Sequence, residues 1–201
     1  MPILEIGFFP ASEALLANNE ITQAELEFVA KSEGCISVYY GIDVDGNKTA
    51  FMGAIWESFD HYKKVVESPE FPATMEALKP AMAGPLTSLH VECEADPTSA
   101  LEAPVTEITL AKLKDGKTHE ELKPLADAIC DNAHLAKGAH PPVAWGPFIQ
   151  KPGEYGVAVG WDSVEDHIKL ADNPPYDKFL PSLFEMADMT VNHVKFKKLV
   201  F

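Results

Sequence analysis

The strongest constraint on the fold is an internal repeat. Residues 56–59, Trp-Glu-Ser-Phe, recur as residues 161–164, Trp-Asp-Ser-Val, at an offset of 105 residues. Val38 and Gly41 match Val143 and Gly146 at the same offset. Because similarity at a fixed spacing marks a duplicated structural unit, the 201-residue chain is predicted to contain two copies of one unit.

The two copies also begin and end alike. Residues 3–6, Ile-Leu-Glu-Ile, align with residues 105–108, Val-Thr-Glu-Ile, and residues 87–91 align with residues 190–194. Between the copies lies a polar stretch bracketed by prolines, which is typical of a linker. We therefore predict a first domain over 1–94, a linker over 95–104 and a second domain over 105–201.

Hydrophobic periodicity predicts the same element order in both copies. The first copy is predicted to contain a strand at 3–9, a helix at 21–30, strands at 36–42 and 50–56, a helical region at 59–82 and a strand at 86–93. The second is predicted to contain a strand at 105–112, a helix at 118–136, strands at 142–149 and 155–161, helices at 163–188 and a strand at 190–197. Each copy is thus a ferredoxin-like β-α-β-β-α-β domain.

A four-stranded sheet with both helices on one face leaves its other face bare, and two such sheets can cover each other. The fold class expected is therefore α+β, with two tandem ferredoxin-like domains whose antiparallel sheets pack into one intramolecular barrel.

Charge and composition limit the partners. The formal net charge of −15 would repel phosphate backbones and anionic lipid, and no apolar run is long enough to span a membrane. We expect no nucleic-acid or membrane partner and, without a recognisable secretory leader, a cytoplasmic location. Three widely spaced cysteines and the lack of metal or nucleotide motifs predict no disulfide, no metal site and no cofactor.

The element order and the Trp-(Glu/Asp)-Ser signature that ends the third strand of each copy resemble the dimeric α+β barrel superfamily. The similarity is greatest to its antibiotic-biosynthesis-monooxygenase-like branch, in a tandem form. This resemblance implies a small-molecule pocket, and members include cofactor-independent oxygenases of aromatic polyketides, cyclases, lactone isomerases, haem-degrading enzymes and stress-related proteins. Fold alone does not choose among them.

The interior face of each strand is predicted from alternation. On the first strands the more apolar residues are assigned to the helices, so Glu5, Phe9 and Glu107 face the barrel interior. His90 and His193 on the last strands are assigned inward too. In the strand order 4-1-3-2, Glu5 would approach His90 and Glu107 would approach His193, pairs suited to general acid–base catalysis. The same residues could instead be solvated at the barrel ends.

Aromatic and small residues complete the predicted pocket. Three small side chains on one strand of the second copy leave room for a cavity in that half, although its two glycines could instead serve close packing. His61 and His167, on the helices after the tryptophans, are expected to face outward or cap the barrel. The predicted substrate-binding residues are Tyr39, Tyr40, Trp145, Phe9, Phe51, Gly156, Ala158 and Gly160.

Three functions remain open from the sequence. The first is a cofactor-free cyclase, lyase, isomerase or monooxygenase that acts on a small apolar or aromatic molecule through His193 or His90. The second is a ligand-binding or stress-related protein without catalysis. The third is a structural subunit whose barrel is filled by its own side chains. A homodimer of the two-domain chain is possible in each case.

Overall fold

The computed structural model describes residues 2–200. The strands are β1 Ile3–Pro10, β2 Cys35–Ile42, β3 Thr49–Trp56, β4 Thr87–Glu92, β5 Val105–Leu113, β6 Ala139–Phe148, β7 Lys151–Trp161, β8 Ala187–Val194 and β9 Lys197–Lys198. The α-helices are α1 Glu13–Ala17, α2 Gln23–Ala30, α3 Phe59–Val66, α4 Phe71–Leu78, α5 Thr98–Leu101, α6 His119–Asp131, α7 Val164–Ile168 and α8 Tyr176–Met186.

Each repeat has the predicted strand order. The first repeat is ordered β4-β1-β3-β2 and the second β8-β5-β7-β6, all antiparallel within one continuous sheet. The prediction of two ferredoxin-like units is therefore confirmed. The short helices α1 and α5 were not predicted.

Two seams join the repeats into a barrel. At one seam β4 pairs with β6 through Val91 and Phe148. At the other, β2 pairs with β9, and a further bridge links Asp43 to Val194 at the end of β8. Each repeat's outer strands thereby contact the other repeat within one chain, which shortens the sheet edges left unpaired.

The repeated Trp-(Glu/Asp)-Ser signature ends a strand and starts a helix. Ser58 is the N-cap of α3 and accepts a hydrogen bond from the backbone N–H of His61. Ser163 caps α7 in the same way through the N–H of Asp166. A serine oxygen satisfies a backbone donor that the first helical turn leaves unpaired, so the motif is structural in both copies.

The barrel interior is filled by apolar side chains, which overturns part of the face assignment. Ile6 and Ile108 were assigned to the helices, yet both belong to the central cluster between the sheets. Leu89 and Val91 of β4 and Val194 of β8, which alternation also assigned to the helices, belong to the same central cluster. The buried members of this cluster are Leu4, Ile6, Tyr39, Phe51, Ile55, Leu89, Val91, Cys93, Ala100, Leu101, Ile108, Ala144, Phe148, Ala158 and Val194.

The pairing register explains the error. Glu5 lies opposite Ala54 on β3 and His90 on β4, and directly paired residues share a face of the sheet. Ala54 and Trp56 pack against the helices, so Glu5 and His90 must lie on that side too. By the same register, Glu107 and His193 face the helices rather than the barrel interior.

The small residues of β7 serve close packing and do not line a cavity. A Cβ on Gly160 would lie 2.7 Å from the Cβ of Ala103, and one on Gly156 would overlap Val91. Ala158 is fully buried in the central cluster. Neighbouring side chains take up the volume left by these residues, and none of the three lines the cavities described below.

The segment between the repeats is packed rather than free. Ala100 and Leu101 of α5 are buried against the barrel end, and Thr106 donates a 2.7 Å hydrogen bond to the carbonyl oxygen of Ala100. A polar linker was expected here. The apolar residues within it instead close one end of the central cluster.

The cysteines are all free thiols. Cys93 is buried, while Cys35 and Cys130 are half-buried. Burial raises the pKa of each thiol to about 12, so none is a ready nucleophile at neutral pH. Within residues 2–200, the helices fall short of the length and apolar character needed to cross a membrane.

Replacing Gly146 with alanine is expected to destabilise the protein by at least ~2 kcal/mol, because the added Cβ would overlap the Glu92 carbonyl oxygen across the β4–β6 seam. Gly41, its counterpart in the first repeat, meets the Lys195 carbonyl oxygen at 2.5 Å at the other seam. Urea unfolding measures the change. The matched control is Gly53→Ala, whose Cβ has no neighbour closer than 3.7 Å; equal losses in the two variants would refute the role assigned to the seam.

Candidate functional site

A cavity of about 170 Å³ lies in the second repeat, between the helix-facing side of the sheet and helices α6 and α8. Its walls are almost entirely apolar. They comprise Ala111, Leu122, Ala126, Ile129, Cys130, Ala133, Ala136, Ala139, Val143, Trp145, Tyr155, Val157, Val159, Trp161, Leu170, Tyr176, Leu180, Leu183, Phe184, Ala187, Met189 and Val191. A pocket in this half of the chain was predicted, but on the opposite face of the sheet.

One end of the cavity carries a buried carboxylate, Glu107 of β5. Thr109 donates a 2.6 Å hydrogen bond from its hydroxyl to Oε1, and the indole Nε1–H of Trp161 donates to Oε2 at 3.0 Å. Both oxygens are thus held by groups of the same sheet face. The carboxylate has a defined orientation at the cavity wall.

His167 of α7 lies beside this carboxylate and also lines the cavity. Its Nε2 is 3.3 Å from Glu107 Oε2, and its ring stacks on Trp161 with centroids 5.1 Å apart. Sequence reasoning placed His167 outward or at the barrel end. The Ser163 cap sets the start of α7 directly after β7, which turns the fourth helical residue back over the sheet.

His193 of β8 completes a chain of polar groups, although it does not border the cavity. Its Nε2 is 2.7 Å from His167 Nδ1. Its Nδ1 is 2.9 Å from Asp45 Oδ1, and its backbone N–H donates to Asp45 Oδ2 at 2.8 Å. The chain therefore runs Asp45, His193, His167, Glu107.

Asp45 belongs to the other repeat. It lies in the turn between β2 and β3, where the backbone N–H of Val44 donates to the carbonyl oxygen of His193 at 2.8 Å. The Asp43 carboxylate holds the turn by accepting a hydrogen bond from the N–H of Asn47. The first repeat thus supplies a carboxylate to the site of the second, a contribution that the turn composition alone did not signal.

The hydrogen-bond pattern assigns the tautomers of both imidazoles. An Asp45 carboxylate accepts, so His193 carries its proton on Nδ1 and its Nε2 accepts from His167 Nδ1–H. His167 Nε2 is then free to take up a proton beside Glu107. Burial lowers the pKa of His167, opposed by the charge of Glu107, which favours the neutral imidazole needed in a base.

The opposite end of the cavity is aromatic. Trp145 and Tyr155 line it with ring centroids 6.2 Å apart, and His119 stacks on Tyr155 and lies 3.1 Å from its hydroxyl through Nδ1. Such faces suit a planar aromatic ligand. Trp145 was predicted as a binding residue. Tyr155 was not predicted, because the pocket was expected on the opposite face of β7.

The corresponding pair in the first repeat is closed. Glu5 accepts hydrogen bonds from Trp56 Nε1–H at 2.9 Å and from the Ser88 hydroxyl at 2.8 Å, and His90 Nε2 lies 3.9 Å from its Oε1. His90 is fully buried, with its ring 3.8 Å from that of Tyr62 between centroids. Burial lowers the pKa of His90 to about 4 and raises that of Glu5.

Two side chains of the first repeat account for this difference. Tyr62 stands at the position of His167, at the repeat offset of 105, and covers His90. Glu25 of α2 is buried beside Glu5, and only about 20 Å³ remains open there. Burial, reinforced by the charge of Glu5, raises the pKa of Glu25 to about 8. The open acid–base site is therefore in the second repeat.

The remaining predicted residues do not converge on the main cavity. Tyr39 is buried in the barrel interior, where its hydroxyl donates to Glu102 at 3.1 Å. Phe9, Tyr40 and Phe51 line a separate cavity in the first repeat. Within residues 2–200, the His, Cys, Asp and Glu side chains form no group of three or more able to hold a metal ion.

Solved structures share this architecture over almost the whole chain. A candidate monooxygenase from Fusobacterium nucleatum is 11% identical, with a TM-score of 0.73, and the match covers 98% of this chain and 93% of that one. A candidate monooxygenase from Lactobacillus acidophilus is 12% identical, with a TM-score of 0.67 and coverage of 99% and 96%. An anthrone oxidase-like protein is 14% identical, with a TM-score of 0.71 and coverage of 98% and 92%.

No family model and no curated protein matches the chain. The fold is nonetheless defined: the chain consists of two tandem ferredoxin-like units whose sheets join into one barrel, an architecture shared with these solved structures. At these low identities the likeness establishes the fold alone, and function has to be argued from the site.

Proposed function

We propose that the chain is an enzyme that removes a proton from a small aromatic molecule bound in the main cavity, and that a cofactor-independent oxygenation follows. The observation that carries the proposal is the contact between His167 Nε2 and Glu107 Oε2 at the wall of an otherwise apolar cavity. A buried acid–base pair at one end of an apolar pocket is a typical arrangement for general base catalysis.

The proton step follows from the tautomers. His167 Nε2 takes the proton from an acidic C–H of the substrate, and the resulting imidazolium is stabilised by the Glu107 carboxylate at 3.3 Å. His193 and Asp45 hold the ring of His167 in the accepting tautomer. The apolar walls exclude water, which strengthens these electrostatic interactions.

Oxygenation balances without an external reductant. A substrate carbon that bears two hydrogens between aromatic rings, opposite a ring carbonyl, loses one proton to His167 and forms a delocalised carbanion. The carbanion adds O₂ and recovers a proton, giving a hydroperoxide, which loses water to leave a carbonyl. One oxygen atom enters the product and the other leaves in water. The fold shared with an anthrone oxidase-like protein supports this class of substrate.

Turnover of anthrone is the test. Purified protein is expected to accelerate oxygen uptake and anthraquinone formation above the spontaneous rate, because anthrone has the acidic carbon that the site requires. Ala126→Phe, which places a ring in the cavity, is expected to lower both binding and turnover at least ~10-fold. Ala128→Phe, on the same helix but outside the cavity lining, is the matched control and retains both.

The outcomes separate the alternatives. Binding that Ala126→Phe abolishes, without any turnover of anthrone or of aromatic polyketones that could cyclise, indicates a ligand-binding protein and refutes an enzyme. Isomerisation or cyclisation without oxygen uptake retains the proton step and refutes oxygenation. Equal activity in the Ala126→Phe and Ala128→Phe variants would place the reaction outside the main cavity.

A further inference from the structure

A second cavity of about 150 Å³ lies in the first repeat, between the helix-facing side of β1, β3 and β2 and the segment from α1 to Thr22. Phe9, Leu15, Tyr40, Ala50 and Met52 form its apolar walls. Tyr40 and Met52 occupy the positions of Trp145 and Val157 at the repeat offset. The second cavity is therefore the counterpart of the aromatic end of the main one.

The second cavity is separated from the acid–base residues of its own repeat. Met52 lines both this cavity and the 20 Å³ space beside Glu5 and Glu25. Its side chain thus stands between them. A molecule bound here would contact neither Glu5 nor His90, so the site offers binding without proton transfer.

The rim of the second cavity is positively charged, against the overall charge of the chain. Lys195 and Lys197, from the C-terminal segment of the second repeat, line it. Both are exposed, and neither has an ion-pair partner within residues 2–200, whereas nearby Lys198 pairs with Glu102 at 2.6 Å. Although the chain has a net charge of −15, these two unpaired lysines create a local positive potential at the edge of the apolar cavity. This potential would attract an anion.

We infer that the second cavity binds an amphipathic monoanion, with an aromatic or alkyl body against Tyr40 and Met52 and a carboxylate or sulfonate between Lys195 and Lys197. The cavity size limits the body to a small ring system or short chain. Because the lysines come from the second repeat and the walls from the first, binding here also links the two repeats across the β2–β9 seam. The inference is independent of the proposed catalysis.

The test uses 1-naphthoate as the probe and methyl-labelled methionine as the reporter. Met52 lines the second cavity and Met189 the main one, so the two sites report separately. Naphthoate is expected to shift the Met52 methyl resonance at low salt, with an affinity that falls about 10-fold in Lys195→Ala/Lys197→Ala. Lys117→Ala, which removes an exposed lysine elsewhere, is the matched control and leaves the affinity unchanged.

Charge and location are checked by two further measurements. Neutral 1-naphthamide is expected to bind the second cavity more weakly than naphthoate, and Ala126→Phe is expected to leave the Met52 shift intact. No Met52 shift, a shift that is unaffected by loss of both lysines, or equal binding of the neutral amide would each overturn the inference. None of these results depends on whether the main cavity turns over anthrone.

Discussion

Replacing His167 with phenylalanine is expected to lower kcat for anthrone oxidation by about 10²- to 10⁴-fold, the usual loss when a general base is removed. Phenylalanine keeps the stacking contact with Trp161 but has no Nε2 to accept the substrate proton. The affinity for anthrone should therefore change little. Oxygen uptake and calorimetric titration, performed on the same preparation, measure the two quantities.

Two further variants separate catalysis from structure. His134→Phe replaces an exposed histidine outside the cavity lining and is expected to retain activity. Asp45 is a positioning residue that acts through His193. Asp45→Asn should therefore lower kcat less than His167→Phe does, and it should shift the pH profile of the reaction. If His167→Phe keeps full turnover, the base is another group and the proposed proton step is wrong.

Replacing Glu25 with glutamine is expected to raise the free energy of unfolding at pH 9 by roughly 5 kcal/mol, and to change it little at pH 4.5. Burial raises the pKa of Glu25 from 4.5 to about 8, so the folded state holds a proton that the unfolded state releases. The wild-type protein thus keeps this stabilisation below pH 4.5 and loses it as the pH rises to 8. Glutamine is neutral throughout.

Urea unfolding at pH 4.5, 7 and 9 measures this effect. The control is Glu20→Gln, since Glu20 is exposed on the segment before α2 and its replacement should not change the pH dependence. A Glu25→Gln variant whose stability falls with pH as steeply as the wild type would show that Glu25 is ionised in the folded protein at neutral pH.

The repeat made much of the fold predictable. Two aligned copies of one periodic pattern specify two similar domains, and the bare face of each sheet requires a partner, so closure into one barrel followed from local pattern and hydrophobic burial. The adjacency of Glu107 and His193 followed as well, because the order 4-1-3-2 places the first and last strands side by side.

The choice of face was not predictable from alternation alone. Both faces of these sheets are apolar, since one packs on helices and the other on the opposite sheet, so hydrophobicity does not distinguish them. Ile6 and Ile108 were placed on the wrong side for that reason. The cross-strand register, which pairs Glu5 with Ala54, would have corrected the assignment.

The sequence by itself determined the duplication, the strand order and the neighbouring carboxylate and imidazole in each copy, because these depend on contacts that repeat along the chain. Only the tertiary structure decided which repeat has an open cavity beside its carboxylate and imidazole. In the first repeat, Tyr62 and Glu25 occupy the space that remains empty in the second. The tertiary structure also decided that Asp45 reaches His193, because that contact depends on how the two repeats meet across a seam rather than on either pattern.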